Sequence, residues 1–295
     1  MSKATPTPNG KLISKISFPV SNNKPKGIAR SGLLLIIATL FFSISGFCTI
    51  SGTKTVGASG DYLTLTDAFA DVTTQGGLGG NFVLQLLSDY PGAAETFPIV
   101  APTSALIGSF TINVYPTSTG LTISGSSATG IINLTNTKNI TIDGRVNATG
   151  TTTDLVISNS DITTGYVIQF ANISTANTLK YCSIRGGSTT STSGVVVFGS
   201  ATATGNNNNL ISNCSIRDAG SGFPTIGIYA LGNASFPNIT NTIDNCNVFN
   251  FFNAAAACQG INIGAGNSAW TITNNNLFQQ STRTGTAGEI GRAHV

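Results

Sequence analysis

Charge is scarce in this chain: only 8% of its 295 residues are Asp, Glu, Lys or Arg. Over residues 49–288, seven scattered cations (Lys54, Lys138, Arg145, Lys180, Arg185, Arg217 and Arg283) meet ten acids, a net of −3. Such a body offers no basic footprint for a phosphate backbone, which excludes nucleic acid as a partner. Histidine is scarcer still, with His294 alone, so proton transfer through imidazole has almost nothing to draw on. No apolar run reaches the roughly 20 residues of a comfortable membrane span. Disorder is excluded by what is plentiful, because Ile, Val and Leu recur regularly among the Thr, Ser, Asn and Gly.

The two ends read differently from the body. Residues 1–30 hold Lys3, Lys11, Lys15, Lys24, Lys26 and Arg30 with no acid, and an apolar run follows from Gly32 to Phe42. A basic segment, a short apolar run and small residues around Ser43, Ser45 and Gly46 are the layout of an export signal over 1–48, cleaved or retained as an anchor. Membrane contact is expected through this segment only. Cys48 does not make a lipid-attachment site, because Phe47 stands where a small residue is wanted. At the other end, Glu289-Ile-Gly-Arg-Ala-His-Val295 matches the translation of a common sequencing adapter and is expected to be foreign and, like residues 1–30, to lie unpacked against the body of the chain. The genuine chain is then expected to run on beyond Gly288 and to lack histidine.

Between the ends the sequence repeats. A glycine opens a short apolar strand at Gly130, Gly165, Gly194, Gly227 and Gly260, and Gly194, Gly227 and Gly260 are expected to stack in one column. A second motif (aliphatic, any, Asn, small, any, aliphatic) runs out of phase with it. Its third position falls at Asn159, Tyr181, Asn213, Asn245 and Asn274, and Tyr181 departs from the pattern. Two interleaved motifs stepping by about 32 residues predict a coil of short stacked strands, each turn too small to stand alone. The Asn position falls at a bend and calls for a left-handed backbone, which Asn tolerates. Stacked Asn213, Asn245 and Asn274 are expected to form a ladder, with Cys182, Cys214 and Cys246 inward beside it as unbonded small hydrophobes. The Gly-Asn-Asn-Asn-Asn run at 205–209 and the Gly/Ser/Thr run at 186–194 read as loops. Thr64 and Asp67 predict a helix start, with Leu65, Ala68, Phe69 and Val72 on one face to cover the open end of the coil.

The stretch Gly60-Asp61-Tyr62-x-Thr64-x-x-x-Ala68 resembles the opening of pectin-methylesterase-like and other pectin-lyase-fold β-helix domains, as does Asn139-Ile-Thr-Ile-Asp-Gly144. The nearest resemblance is to bacterial exported β-helix proteins that commonly end in a sorting domain for type IX secretion, and it covers about residues 51–288. It implies an all-β fold, a right-handed parallel β-helix (solenoid) with a short N-terminal capping helix. Residues 49–80 would form the first strand and cap, and 81–288 the coil.

Enzymes of that fold use paired carboxylates, Arg with Ca²⁺-binding Asp, or an Asp pair helped by His. The Gly-His-Gly and Asp-Phe-Ile-Phe-Gly elements of such enzymes are missing here. Asp143, Asp154 and Asp161 are the one crowd of acids, and they read first as turn residues. Arg185 and Arg217 occupy one motif position with Asp218 adjacent, a stacked pair able to grip an anion; these three are the candidate ligand-binding residues. Trp270, Phe249, Phe251 and Phe252 read as packing rather than a stacking strip for sugars. No catalytic residue, metal site or cofactor is assigned. The expected function is an exported or cell-surface monomer presenting a long polar face for adhesion or glycan contact. The alternative is a polysaccharide lyase, hydrolase or esterase whose site lies partly beyond Gly288.

Overall fold

The computed structural model describes residues 49–220 and 222–284, together with the backbone of 292–294. Residues 1–48, read above as an export signal, therefore lie outside the described residues, as do Glu289, Ile290, Gly291 and Val295. Within them the chain is a parallel β-solenoid of about seven turns. Each turn visits three sheets. Thr178–Lys180 joins an eight-stranded sheet, Cys182–Gly186 a six-stranded one and Val196–Phe198 a seven-stranded one. The next turn repeats the visit with Leu210–Ser212, Ser215–Asp218 and Ile226–Ala230, each paired in parallel with its predecessor.

Inward aliphatics set the register. One column of the eight-stranded sheet runs Leu84, Val114, Ile142, Leu179, Ile211, Ile243 and Ile272. The six-stranded sheet contributes Ile123, Ile157, Ile184, Ile216, Val248 and Leu277. Each buried member stabilises the coil by about 1.5–3 kcal/mol, set against ~1–2 kcal/mol of backbone ordering per residue. That balance needs several inward side chains per turn, and three sheets supply them. Phe170 and Phe198 stack inside the coil with ring centroids 4.5 Å apart, and Trp270 meets Phe198 edge-on at 4.8 Å. The packing role expected for Trp270 and Phe251 holds, since both belong to or pack on the core.

The N-terminal end is closed as expected. Ile50–Val56 pairs with Leu78–Leu86, and between them the helix Leu65–Thr74 buries Leu65, Ala68, Phe69 and Val72. Thr64 caps it and exchanges hydrogen bonds with Asp67, a reciprocal capping box. Glu95 adds what the sequence did not reveal. Its buried carboxylate accepts hydrogen bonds from the Leu65 and Thr66 amides (2.6 and 3.0 Å) and from the Tyr90 hydroxyl. A carboxylate there satisfies orphan N–H groups and complements the helix dipole.

Three expectations need correction. The glycines do not share one column: Gly227 and Gly260 are level, but Val196 pairs with Ile228, which sets Gly194 beside Ile226. The rung step is set by the inward aliphatics, while glycine marks only a tight approach near the strand entry. At Gly130, for example, a Cβ would meet the Tyr166 ring at 2.0 Å. The 205–209 run is not a loose loop. Asn206 and Asn209 are 0% and 1% exposed and belong to two internal ladders, Asn206–Asn238–Asn267 and Asn177–Asn209–Asn241. Last, the adapter-like end was expected to lie apart from the coil, yet the backbone of Arg292–His294 pairs with Gln259–Ile263. The open edge of a parallel sheet offers unpaired N–H and C=O groups to any extended segment within reach, so the pairing says nothing of where those residues come from.

Candidate functional site

The corner between the eight- and six-stranded sheets carries the most distinctive surface. Tyr181, Asn213, Asn245 and Asn274 follow one another there, all left-handed, with φ of 53°, 54°, 52° and 57°. Such a φ is rare for a residue with a side chain and is tolerated best by Asn. Tyr181 takes it too, so the departure from the motif is one of side chain and not of backbone. The residue after each turn bends inward: Cys182, Cys214 and Cys246 are buried and free, continuing the column of Leu121 and Leu155. Burial holds the Cys214 thiol well above its usual range, and its contact with Cys214, with burial, does the same for Cys246. All three are packed, unbonded thiols, as expected.

Outside the corner lies a groove of about 330 Å³ lined by Thr151, Thr153, Tyr181, Asn213, Asn245 and Asn247. Its floor is the amide column, where Asn245 Nδ2 donates to Asn213 Oδ1 at 2.6 Å. The ladder stops there, because Asn274 Nδ2 turns to Asp244 Oδ1 at 2.8 Å. The rung neighbouring Asn274 offers a carboxylate, a stronger acceptor than an amide oxygen. The far wall is the excursion between Ile140–Asp143 and Leu155–Asn159. Arg145 ties wall to floor. Its guanidinium lies 4.3 Å from the Tyr181 ring centroid and donates to the Gly150 carbonyl at 3.0 Å.

Asp143 anchors that arginine through two hydrogen bonds, Nε to Oδ1 at 2.9 Å and Nη2 to Oδ2 at 2.6 Å, and Lys180 Nζ stands 3.2 Å from Oδ2. Burial alone would raise the Asp143 pKa. The hydrogen bonds from the Arg145 side chain and backbone and from Lys180 outweigh it and hold the carboxyl below its usual range. Asp154 accepts from the Val146 amide at 3.4 Å, so the carboxylates of Asp143 and Asp154 serve successive amides of one loop. Asp161 stands apart, beyond the far end of the five-residue strand Leu155–Asn159, about 16 Å of extended chain. It closes a turn through the amides of Thr163, Thr164 and Gly165. All three acids thus hold turns, as the sequence suggests, but only two share the groove region.

Arg185 and Arg217 are brought together, level on adjacent rungs of the six-stranded sheet. Arg217 Nε lies 3.4 Å from Asp218 Oδ1, and its guanidinium stands 5.1 Å from the Phe249 ring centroid. Phe249 stacks in turn on Phe278 at 4.8 Å, an outer contact separate from the core. Asp218 is buried and bound by Asn250 Nδ2 at 2.8 Å.

No family model matches the chain, and no curated protein matches it. Among solved structures, the chain is similar to the crystal structure of pectin methylesterase from Aspergillus niger, with 13% identity, a TM-score of 0.36, and coverage of 84% of this chain and 93% of that one. Nothing about a site carries across a likeness that distant.

Proposed function

We propose that this β-helix contacts carbohydrate through the corner groove, working outside the cell after export. The observation that carries the reading is the column of Tyr181, Asn213 and Asn245 along a groove with a second, hydroxyl-bearing wall of Thr151 and Thr153. Each amide offers a donor and an acceptor in one plane, a match for neighbouring hydroxyls on a sugar. Tyr181 adds an aromatic surface with a polar tip, already immobilised by Arg145, so little side-chain freedom is lost on binding. The rungs repeat every ~4.8 Å, which suits an extended ligand made of repeating units. Contact without bond cleavage is the leading form of the reading. The carboxylate of Asp143 is 2% exposed and saturated by its own cations, a structural arrangement rather than a reactive one.

A second reading is enzymatic, a hydrolase or esterase of the pectin-lyase fold. What favours it is the pair Asp143 and Asp154 on one loop beside the groove, with Asp143 held ionised. Acid–base chemistry on a sugar requires a proton donor and a proton acceptor within reach of one bond.

The full chain should be run by affinity electrophoresis through gels holding a panel of soluble polysaccharides, with methanol release from methyl-esterified pectin and unsaturated product from polygalacturonate followed in parallel. Retardation that Tyr181→Ala or Asn245→Ala abolishes, with no product, supports binding alone. Product that disappears with Asp154→Asn establishes the second reading. Retardation indifferent to Tyr181 and Asn245 would remove the groove from both.

A further inference from the structure

The outer face of the six-stranded sheet carries a second patch, apart from the corner groove. Side chains alternate along a strand, so Ser183 and Arg185 share the outer face of Cys182–Gly186, and Ser215 and Arg217 that of Ser215–Asp218. The strands are in register, Ser183 beside Ser215 and Arg185 beside Arg217. Two hydroxyls and two guanidinium groups therefore occupy a rectangle of about 5 by 7 Å.

This patch is short of negative charge. Among the described residues no carboxylate forms an ion pair with Arg185. Arg217 has Asp218 at 3.4 Å, but its Nε makes no hydrogen bond. The Asp218 carboxylate is committed elsewhere, accepting from Asn250 Nδ2 and from the Gly220 amide at 3.2 Å. Like charges directly opposite on neighbouring strands repel, and among the described residues Asp218 is the one carboxylate paired with either of them. The arrangement is nonetheless held: Arg185 Nε donates to Ser183 Oγ at 3.0 Å, and Arg217 is backed by Phe249. Among the described residues the Nη groups of Arg185 form no ion pair, and Ser183, 7% exposed, is held against Arg185 Nε.

We propose that Arg185, Arg217, Ser183 and Ser215 form a binding site for a tetrahedral oxyanion, a sulfate or phosphate monoester carried on a larger ligand. A carboxylate has two oxygens in one plane and is satisfied by a single guanidinium fork. A tetrahedral group presents three oxygens on different directions, enough to bridge two forks a rung apart and accept from a serine. Phe249 backs Arg217, and Asp218 stands beside it without a hydrogen bond to Nε.

The test uses the full chain labelled with ¹⁵N, following the arginine Nε–H resonances as sodium sulfate or sodium phosphate is added at constant ionic strength against chloride. Arg185 and Arg217 should shift saturably in the millimolar range, while Arg145, locked on Asp143, stays still. Arg185→Gln should weaken the response of Arg217 at least about tenfold, and Tyr181→Ala should leave it intact, which separates this site from the groove. Arg185→Lys keeps the charge without the fork and should lose most of the binding. Dextran sulfate should retard the protein in a gel where dextran does not, and Arg217→Gln should abolish the difference. The relative response to sulfate and phosphate identifies which ester the site prefers. Shifts that are linear, match chloride, extend equally to Arg145, or survive Arg185→Lys at full strength would overturn the proposal.

Discussion

Asn209 is the sharpest place to test how the coil is held together. Its side chain is 1% exposed and works in both directions along the stack. Oδ1 accepts from the Asn177 backbone amide and from Asn177 Nδ2, both at 3.1 Å; Nδ2 donates to Ser174 O at 2.9 Å and to Asn241 Oδ1 at 3.0 Å. Asn209→Ala removes all four. Most of the partners retain another bond: Ser174 O still receives the Asn207 amide, Asn241 Oδ1 still receives the Asn209 amide, and Asn177 Nδ2 still donates to Ser174 Oγ. The Asn177 amide is left with none. One orphaned buried donor costs about 1–3 kcal/mol, and the lost bonds about 0.5–1.5 kcal/mol each in the net. A loss of at least about 3 kcal/mol follows, a large share of the stability of an ordinary domain. Asn209→Leu should fare no better, since filling the space with carbon leaves the amide orphaned. Asn213→Gly is the control. It sits at φ 54° on the exposed ladder, where Gly is at ease, and should stay within about 1 kcal/mol. Guanidinium unfolding gives the three values at constant slope. If Asn209→Leu proves as stable as wild type, the buried ladder is not what fixes that corner.

Glu95→Ala should destabilise the capped end by roughly 2–4 kcal/mol through loss of charge-assisted bonds to Leu65, Thr66 and Tyr90; a melting temperature within a degree of wild type would contradict the cap. Asp143 has a depressed folded pKa, so its contribution to stability is full above the unfolded value of about 3.9 and fades as pH falls through the folded one. Asp143→Asn should therefore flatten the acid limb of the stability curve below about pH 4, and an unchanged limb would rule out the ion-pair account. Thiol titration of the native protein should leave Cys182, Cys214 and Cys246 unreacted. The unfolded, unreduced protein should yield these three and Cys258 as free thiols; a bridged pair would contradict the stacking geometry.

The fold was legible because its physics repeats. An aliphatic must face inward on every rung, and the corner needs a residue that accepts positive φ, so Ile211 with Asn213 and Ile243 with Asn245 announce themselves 32 residues apart. Glycine misled by one residue at Gly194, since it reports a local approach and not the register. The internal ladders were hidden by composition. Asn177, Asn209 and Asn241 step by the same 32 residues as the corner motif, yet a run of asparagines resembles a solvated loop unless its period is compared with that of the core. The period was the usable signal, because an amide buried on every rung has a partner directly above and below it.

The groove was far less legible, and the reason lies in where its parts come from. Tyr181 stood out as the residue that broke the Asn column, so a departure from a strict repeat was the available clue. Its significance depends on Arg145, which belongs to an excursion between strands and not to the repeat. A solenoid fixes the rungs by core packing but leaves the excursions free to vary. No spacing rule could have said that Arg145 would fold back 36 positions along the chain onto the Tyr181 ring, or that Asp143 would hold it there. Arg185 and Arg217 show the opposite case. Both lie on rungs, so their neighbourhood followed from the motif alone, and the structure added what register could not: the commitment of Asp218 to Asn250, which leaves the two cations with less counter-charge than their sequence context implied. In this architecture, side chains on rungs are placed by the repeat, and the chemistry they carry is set by which partners the excursions and neighbouring rungs have already claimed.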